Sequence, residues 1–134
     1  MPGRLEDIKV LIVDDDRDVR ESMDAAFQAE GAMTQTAGDG NTAVRVCMDD
    51  PPDLVVLDMM LPGRSGFLVL EKIKARKPRN APPHIIMITG NPGARHKMYA
   101  ESLGVSEYFT KPVKMDKLIA TAERLVGGTT AAAS

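Results

Sequence analysis

The chain has 134 residues, 43% of them hydrophobic and 27% charged, the composition of one ordinary globular domain rather than a disordered segment. Seventeen basic residues against nineteen acidic leave a net charge of −2, which argues against non-specific nucleic-acid binding. A single cysteine excludes a disulfide framework and a cysteine-cluster metal site. The N-terminus has no apolar leader, and no apolar run approaches the roughly 20 residues of a membrane span, so a cytoplasmic location without membrane insertion is expected.

Taken in chain order, short apolar bursts alternate with segments of helical spacing. Val10-Leu11-Ile12-Val13 reads as the first strand. Val19, Met23, Ala26 and Phe27 follow at helical spacing, with Arg17, Asp18, Arg20 and Glu21 on the other side. A weaker strand covers Ala32 to Ala37, and Ala43, Val46 and Cys47 mark a short helix that stops before Pro51-Pro52. Leu54-Val55-Val56-Leu57 is the third strand, and Phe67, Leu70 and Ile73 the third helix. Lys74 to Pro83, with four basic residues and three prolines, is the longest connection. Ile85-Ile86-Met87-Ile88 is the fourth strand, Ala94 to Leu103 the fourth helix, and Glu107-Tyr108-Phe109 a weaker fifth strand. Leu118, Ala122, Leu125 and Val126 mark the last helix, with Gly127-Gly128 as its stop. The strong strands are continuous rather than alternating, as when helices cover both faces of a parallel sheet. Five β-α units predict a doubly wound α/β domain over residues 7–126, with five parallel strands in the flavodoxin-like manner. Residues 1–6 read as a short N-terminal extension and 127–134 as a flexible tail or linker stump.

In such a sheet the ligand site lies beyond the carboxyl ends of the strands. Asp14, Asp15 and Asp16 follow the first strand, Asp58 the third, Thr89 the fourth, and Thr110, Lys111 and Pro112 the fifth. Carboxylates gathered at one edge repel, and a Mg²⁺ ion relieves the conflict because it takes oxygen ligands and bridges carboxylates to phosphate. Asp58 is then a nucleophile toward phosphorus, Lys111 neutralises the phosphoryl charge, and Thr89 donates to a phosphoryl oxygen. Asp16 reads better as a helix N-cap than as a ligand.

The ordered set of motifs resembles the receiver domains of bacterial two-component response regulators. It comprises Val10 to Asp16, Asp53 to Gly63 with Gly66, Ile85 to Gly90, and Tyr108 to Pro112. The resemblance covers about residues 7–126 and implies a phosphorylation-switched domain similar to the chemotaxis response regulator. It implies that Asp58 accepts a phosphoryl group from a histidine kinase or histidine phosphotransfer protein. Asp14, Asp15 and Asp58, with the backbone carbonyl of Met60, would hold the Mg²⁺. Thr89 and Lys111 would grip the phosphoryl oxygens, Tyr108 would be the aromatic switch, and Pro112 would follow a cis bond. Met60 and Asn91 take the positions that flank the path of the hydrolytic water, and Gly90 leaves room for the phosphodonor. The expected output surface, for a downstream protein or a second copy, is the face of the fourth helix, fifth strand and fifth helix, residues 93–126.

Such a protein modifies itself and is not an enzyme with a separate substrate. Alternatives are a phosphate carrier in a relay, or a receiver that binds partners without phosphorylation. A haloacid-dehalogenase-type phosphatase would carry a second acid two residues after its nucleophile, where this chain has Met60. A phosphate-binding Gly-x-x-x-x-Gly-Lys-Ser/Thr loop is absent. His84 reads as a strand start and His96 as an exposed helical residue, neither in a phospho-histidine context. Cys47 reads as a buried structural thiol and the nine methionines as core filler. Arg95, Lys97, Lys114 and Lys117 read as a solvated face.

Overall fold

The computed structural model describes residues 3–75, 77–78, 81–90 and 93–133, with side chains to residue 127. Five parallel strands, β1 (Lys9–Val13), β2 (Met33–Ala37), β3 (Leu54–Asp58), β4 (His84–Thr89) and β5 (Glu107–Thr110), form one sheet in the order β2-β1-β3-β4-β5. They alternate with α1 (Arg17–Ala29), α2 (Gly40–Asp49), α3 (Gly66–Lys74), α4 (Ala94–Ser102) and α5 (Met115–Ala133). This is the flavodoxin-like doubly wound α/β fold.

Burial follows the continuity of the apolar bursts. Every residue of β3 and β4 is buried, and β1 is buried after Lys9. The edge strands β2 and β5 are more exposed, in keeping with their mixed composition. The sheet separates two apolar clusters. One packs Leu11, Val55, Leu57 and Met87 against Ala43, Val69, Leu70 and Ala100 of α2, α3 and α4. The other packs Val10, Ile12, Val56 and Ile86 against Phe27, Leu118 and Ala122 of α1 and α5.

Capping residues set the helix starts. Asp16 caps α1 by accepting from Asp18 and Val19 N–H, Asp39 caps α2 through Thr42, and Ser65 caps α3 through Leu68. Gly66 opens α3 hard against the strand end. A Cβ there would stand 2.5 Å from the Asp58 carbonyl oxygen, so only glycine lets α3 start this close to the site.

Several sequence expectations are corrected. Residues 3–6 are packed onto the domain rather than lying outside it: Leu5 is fully buried in the α1–α5 cluster, and Arg4 pairs with Glu123 at 3.0 Å. The backbone of α5 runs through Gly127-Gly128 to Ala133, where a stop and a flexible tail were expected. Two glycines cost about 1 kcal/mol each, but no proline or left-handed turn follows them, and three alanines favour continuation. The methionines are not uniformly core filler. Met23, Met59 and Met87 are buried, whereas Met33, Met48, Met60 and Met98 are half or more exposed. His96 is half-buried on α4 with its ring against Phe67 at 5.9 Å, not exposed. Cys47 is buried, and burial pushes its thiol pKa up to about 11 despite the nearby charge of Lys77.

Candidate functional site

The strand order reverses around β1 and β3, and a crevice opens there beyond their carboxyl ends. Pairing of Val13 with Leu57 brings Asp14 and Asp58 side by side. Pairing of Asp58 with Ile88, and of Thr89 with Thr110, carries Thr89 and Lys111 to the same edge. The Lys111 N–H donates to the Thr89 carbonyl at 2.7 Å, which fixes the turn after β5. The Lys111–Pro112 peptide is cis, as the resemblance implied.

Asp14 and Asp58 are 1% and 4% exposed, whereas Asp15 is open to solvent. One carboxylate oxygen from each of the three lies within 4.8 Å of the others. The Lys111 ammonium donates to Asp58 Oδ2 at 3.4 Å and stands 3.6 Å from Asp14 Oδ2, so it bridges the two buried acids. Each buried carboxylate also accepts a backbone N–H, Asp14 from Asp16 at 2.9 Å and Asp58 from Met60 at 3.2 Å. Burial raises the Asp58 pKa. The Met60 N–H opposes that rise, the Asp14 charge adds to it, and Lys111 offsets it only in part. For Lys111, burial acts downward, but the charges of Asp58 and Asp14 prevail and the pKa is raised.

Three oxygen-donor carboxylates with one cation between them suit a hard divalent ion such as Mg²⁺, which takes oxygen ligands and keeps several waters. The sulfur- or imidazole-rich donor sets favoured by softer metals are absent from the cluster. The Met60 side chain is 67% exposed beside it.

Thr89 is fully buried behind this crevice. Burial raises the Tyr108 pKa, and a side-chain hydrogen bond with Thr89 acts the other way. The Tyr108 hydroxyl also reaches Met59 Sδ at 3.9 Å. Thr89 and Tyr108 therefore lie close enough for their side chains to interact. Asp16 is the N-cap of α1, its side chain accepting from the Asp18 and Val19 N–H groups, as its position suggested. Asn91 lies outside the described residues. Arg95, Lys97, Lys114 and Lys117 are all exposed, and Lys117 lies over the Phe109 ring at 5.9 Å. Beside the crevice, Asp18, Ser22 and Met23 of α1 face Val113 and Met115 across a groove of about 690 Å³ that reaches Asp14 and Lys111. The sequence reading did not single out this groove, because its walls come from helices far apart in the chain.

An open α/β domain with an acidic pocket at its topological switch point defines a class that the comparisons narrow. The family model of the response regulator receiver domain matches residues 10–123, and the chain belongs to that family. It is similar to the receiver domain of the Francisella response regulator 1452, with 27% identity, a TM-score of 0.83, and coverage of 92% of this chain and 99% of that one. The CheY-like receiver domain protein from Methanospirillum hungatei JF-1 matches at 25% identity with a TM-score of 0.84, over 93% of this chain and 98% of that one. The receiver domain of NtrX from Brucella abortus is 33% identical with a TM-score of 0.78, over 88% of this chain and 98% of that one. Among the described residues, no helix is long and apolar enough to cross a membrane.

Proposed function

We propose that this receiver domain is a phosphorylation-controlled signalling module that accepts a phosphoryl group on Asp58 from a histidine kinase or histidine phosphotransfer protein. The observation that carries this reading is the Lys111 ammonium held between two nearly buried carboxylates at the ends of β1 and β3. A lone structural lysine would need one acid; this arrangement keeps two, beside a solvent-open third, Asp15.

Asp14, Asp15 and Asp58, with the Met60 carbonyl, would hold Mg²⁺. When bound, the ion supplies charge neutralisation and orientation for the phosphoryl oxygens. The Asp58 carboxylate oxygen attacks phosphorus, the bond from phosphorus to the donor's imidazole nitrogen breaks, and an acyl phosphate remains on Asp58. Lys111 passes from carboxylate to phosphoryl oxygen, keeping a charge-assisted contact in both states. Thr89 donates to another phosphoryl oxygen. Nothing else is turned over: the domain catalyses only its own phosphorylation and dephosphorylation, and its output is a change in partner binding.

The test is incubation of the protein with acetyl phosphate and Mg²⁺, followed by mass spectrometry. One base-labile phosphoryl group on Asp58 is expected, lost in Asp58→Asn. A label on Ser, Thr or His instead would overturn the mechanism.

A further inference from the structure

At the opposite end of the sheet from Asp58, a cleft of about 530 Å³ lies between α2 and α3. Its floor is apolar and buried, made by Cys47, Pro52, Ile73 and Pro83. Met48, 57% exposed, stands at its rim and extends the apolar surface outward. Among the described residues, the charged side chains lining the cleft are Lys72 and Lys77, and Lys77 also borders a neighbouring hollow with Glu71 and Glu101. Neither lysine makes an ion pair among the described residues. Lysines in the last turn of a helix ordinarily serve the negative end of its dipole. Here Lys74 is already buried at that end, its ammonium donating to the Ala81 and Pro83 carbonyls at 2.7 and 3.3 Å. Lys72 and Lys77 are thus left as exposed cations at the cleft. Lys77 is exposed and lines the cleft together with Cys47 and Ile73.

A concave apolar floor, a volume in the range of small-molecule sites, and two rim cations with no ion pair among the described residues together select a ligand chemistry. We propose that this cleft binds a small amphiphilic organic anion, its apolar body on Cys47, Pro52, Ile73 and Pro83 and its carboxylate or phosphate on Lys72 and Lys77. An inorganic anion leaves the floor wet, and an uncharged apolar molecule leaves the lysines unused. The site has a route to the phosphorylation pocket. α3 borders the cleft at its last turn, while its first residue, Gly66, donates to the Met59 carbonyl at 2.9 Å and packs on the Asp58 backbone. One helix, roughly 13 Å long, therefore touches both sites.

The experiment is an amide NMR titration of the full chain with three probes: octanoate, adenosine monophosphate and inorganic phosphate. Octanoate and the nucleotide present the two sources of this chemistry, a carboxylate on an alkyl body and a phosphate on a heteroaromatic one. Saturable shifts confined to Cys47–Pro52, Lys72–Ala75, Lys77 and His84 with either amphiphile support the site and say which body it prefers. The Lys72→Ala/Lys77→Ala variant, altered only at exposed side chains, should keep the wild-type spectrum elsewhere and bind that probe at least about tenfold more weakly. Absence of saturable shifts with both amphiphiles, equal binding of inorganic phosphate, or unchanged affinity in the double variant would each overturn the proposal. None of these readings involves phosphorylation, so they stand apart from the assignment of Asp58.

Discussion

Asp58 carries a carboxylate in surroundings that disfavour its charge. Burial and Asp14 push its pKa up more than the Met60 N–H and Lys111 bring it down. At neutral pH, without a divalent cation, the ionised form therefore weakens the fold. Asp58→Asn keeps the shape and the Met60 contact while removing the charge. Its thermal midpoint should lie above wild type by a few degrees, on the order of 1 kcal/mol. Added Mg²⁺ should raise the wild-type midpoint and leave that of the variant nearly unmoved; differential scanning fluorimetry with and without the ion reads both, and a lower midpoint for Asp58→Asn would contradict the electrostatic account. His84 titrates in the opposite sense. It is 9% exposed, and burial, with the charge of Lys74, holds its pKa below the ordinary 6.5 although Asp53 opposes them. The unfolded chain takes up that proton as pH falls through 6.5, and the folded chain resists it. Stability contributed by neutral His84 is present above pH 6.5 and is lost as pH falls below it. Urea unfolding at pH 7.5 and 5.5 should show a smaller acid loss in His84→Gln than in wild type.

Among the elements, α4 is held least. Ala100 is its one buried residue, and Gly93 at its N-cap offers no side-chain bond. Tyr99 meets Phe67 of α3 edge-on at 5.0 Å, and His96 lies against the same ring with its Nδ1 buried and without a hydrogen-bond partner among the described residues. A buried polar atom without a partner costs about 1–3 kcal/mol. His96→Phe keeps a ring on Phe67 and removes that atom, so amide hydrogen exchange across Ala94–Ser102 should slow several-fold; faster exchange would show that the nitrogen has a role in docking α4. The contrast between α4 and the strands also explains what could be read from sequence. β1, β3 and β4 are apolar on both faces and are flanked by turns, so local pattern and tertiary burial agree and their ends could be placed. With strand ends placed, the topology alone brought Asp14, Asp58, Thr89 and Lys111 to one edge. The burial of Leu5, Lys74 and His96 depends on distant partners instead: the α1–α5 seam, the carbonyls before β4, and the Phe67 ring. No local period encodes such contacts. The end of α5 escaped for a related reason, since the Gly127-Gly128 signal is weak beside the alanines that follow.

At the scale of the whole molecule, the proposed phosphorylation raises the question of how a charge placed on Asp58 would reach a surface. Thr89 is fully buried, and its side chain interacts with that of Tyr108. A phosphoryl group adds roughly two negative charges and new acceptor oxygens at the strand ends. If Thr89 turns to donate to one of them, it gives up Tyr108, whose ring packs against the apolar cluster under α4 and borders a surface hollow with Lys97, Glu101 and Leu125. Moving Tyr108 would therefore reshape the face made by α4, β5 and α5, where α4 is the element least anchored. The response expected is a shift in an existing equilibrium rather than a new fold. Amide NMR spectra with and without beryllofluoride and Mg²⁺ should show changes at the pocket and again across residues 93–126. In Thr89→Ala the pocket should still respond, while changes across that face shrink, because the donor that links phosphoryl oxygen to Tyr108 is gone. A wild-type spectrum that moves at Asp14, Asp58 and Lys111 alone would instead mark the domain as a carrier that holds a phosphoryl group for onward transfer without signalling through its surface.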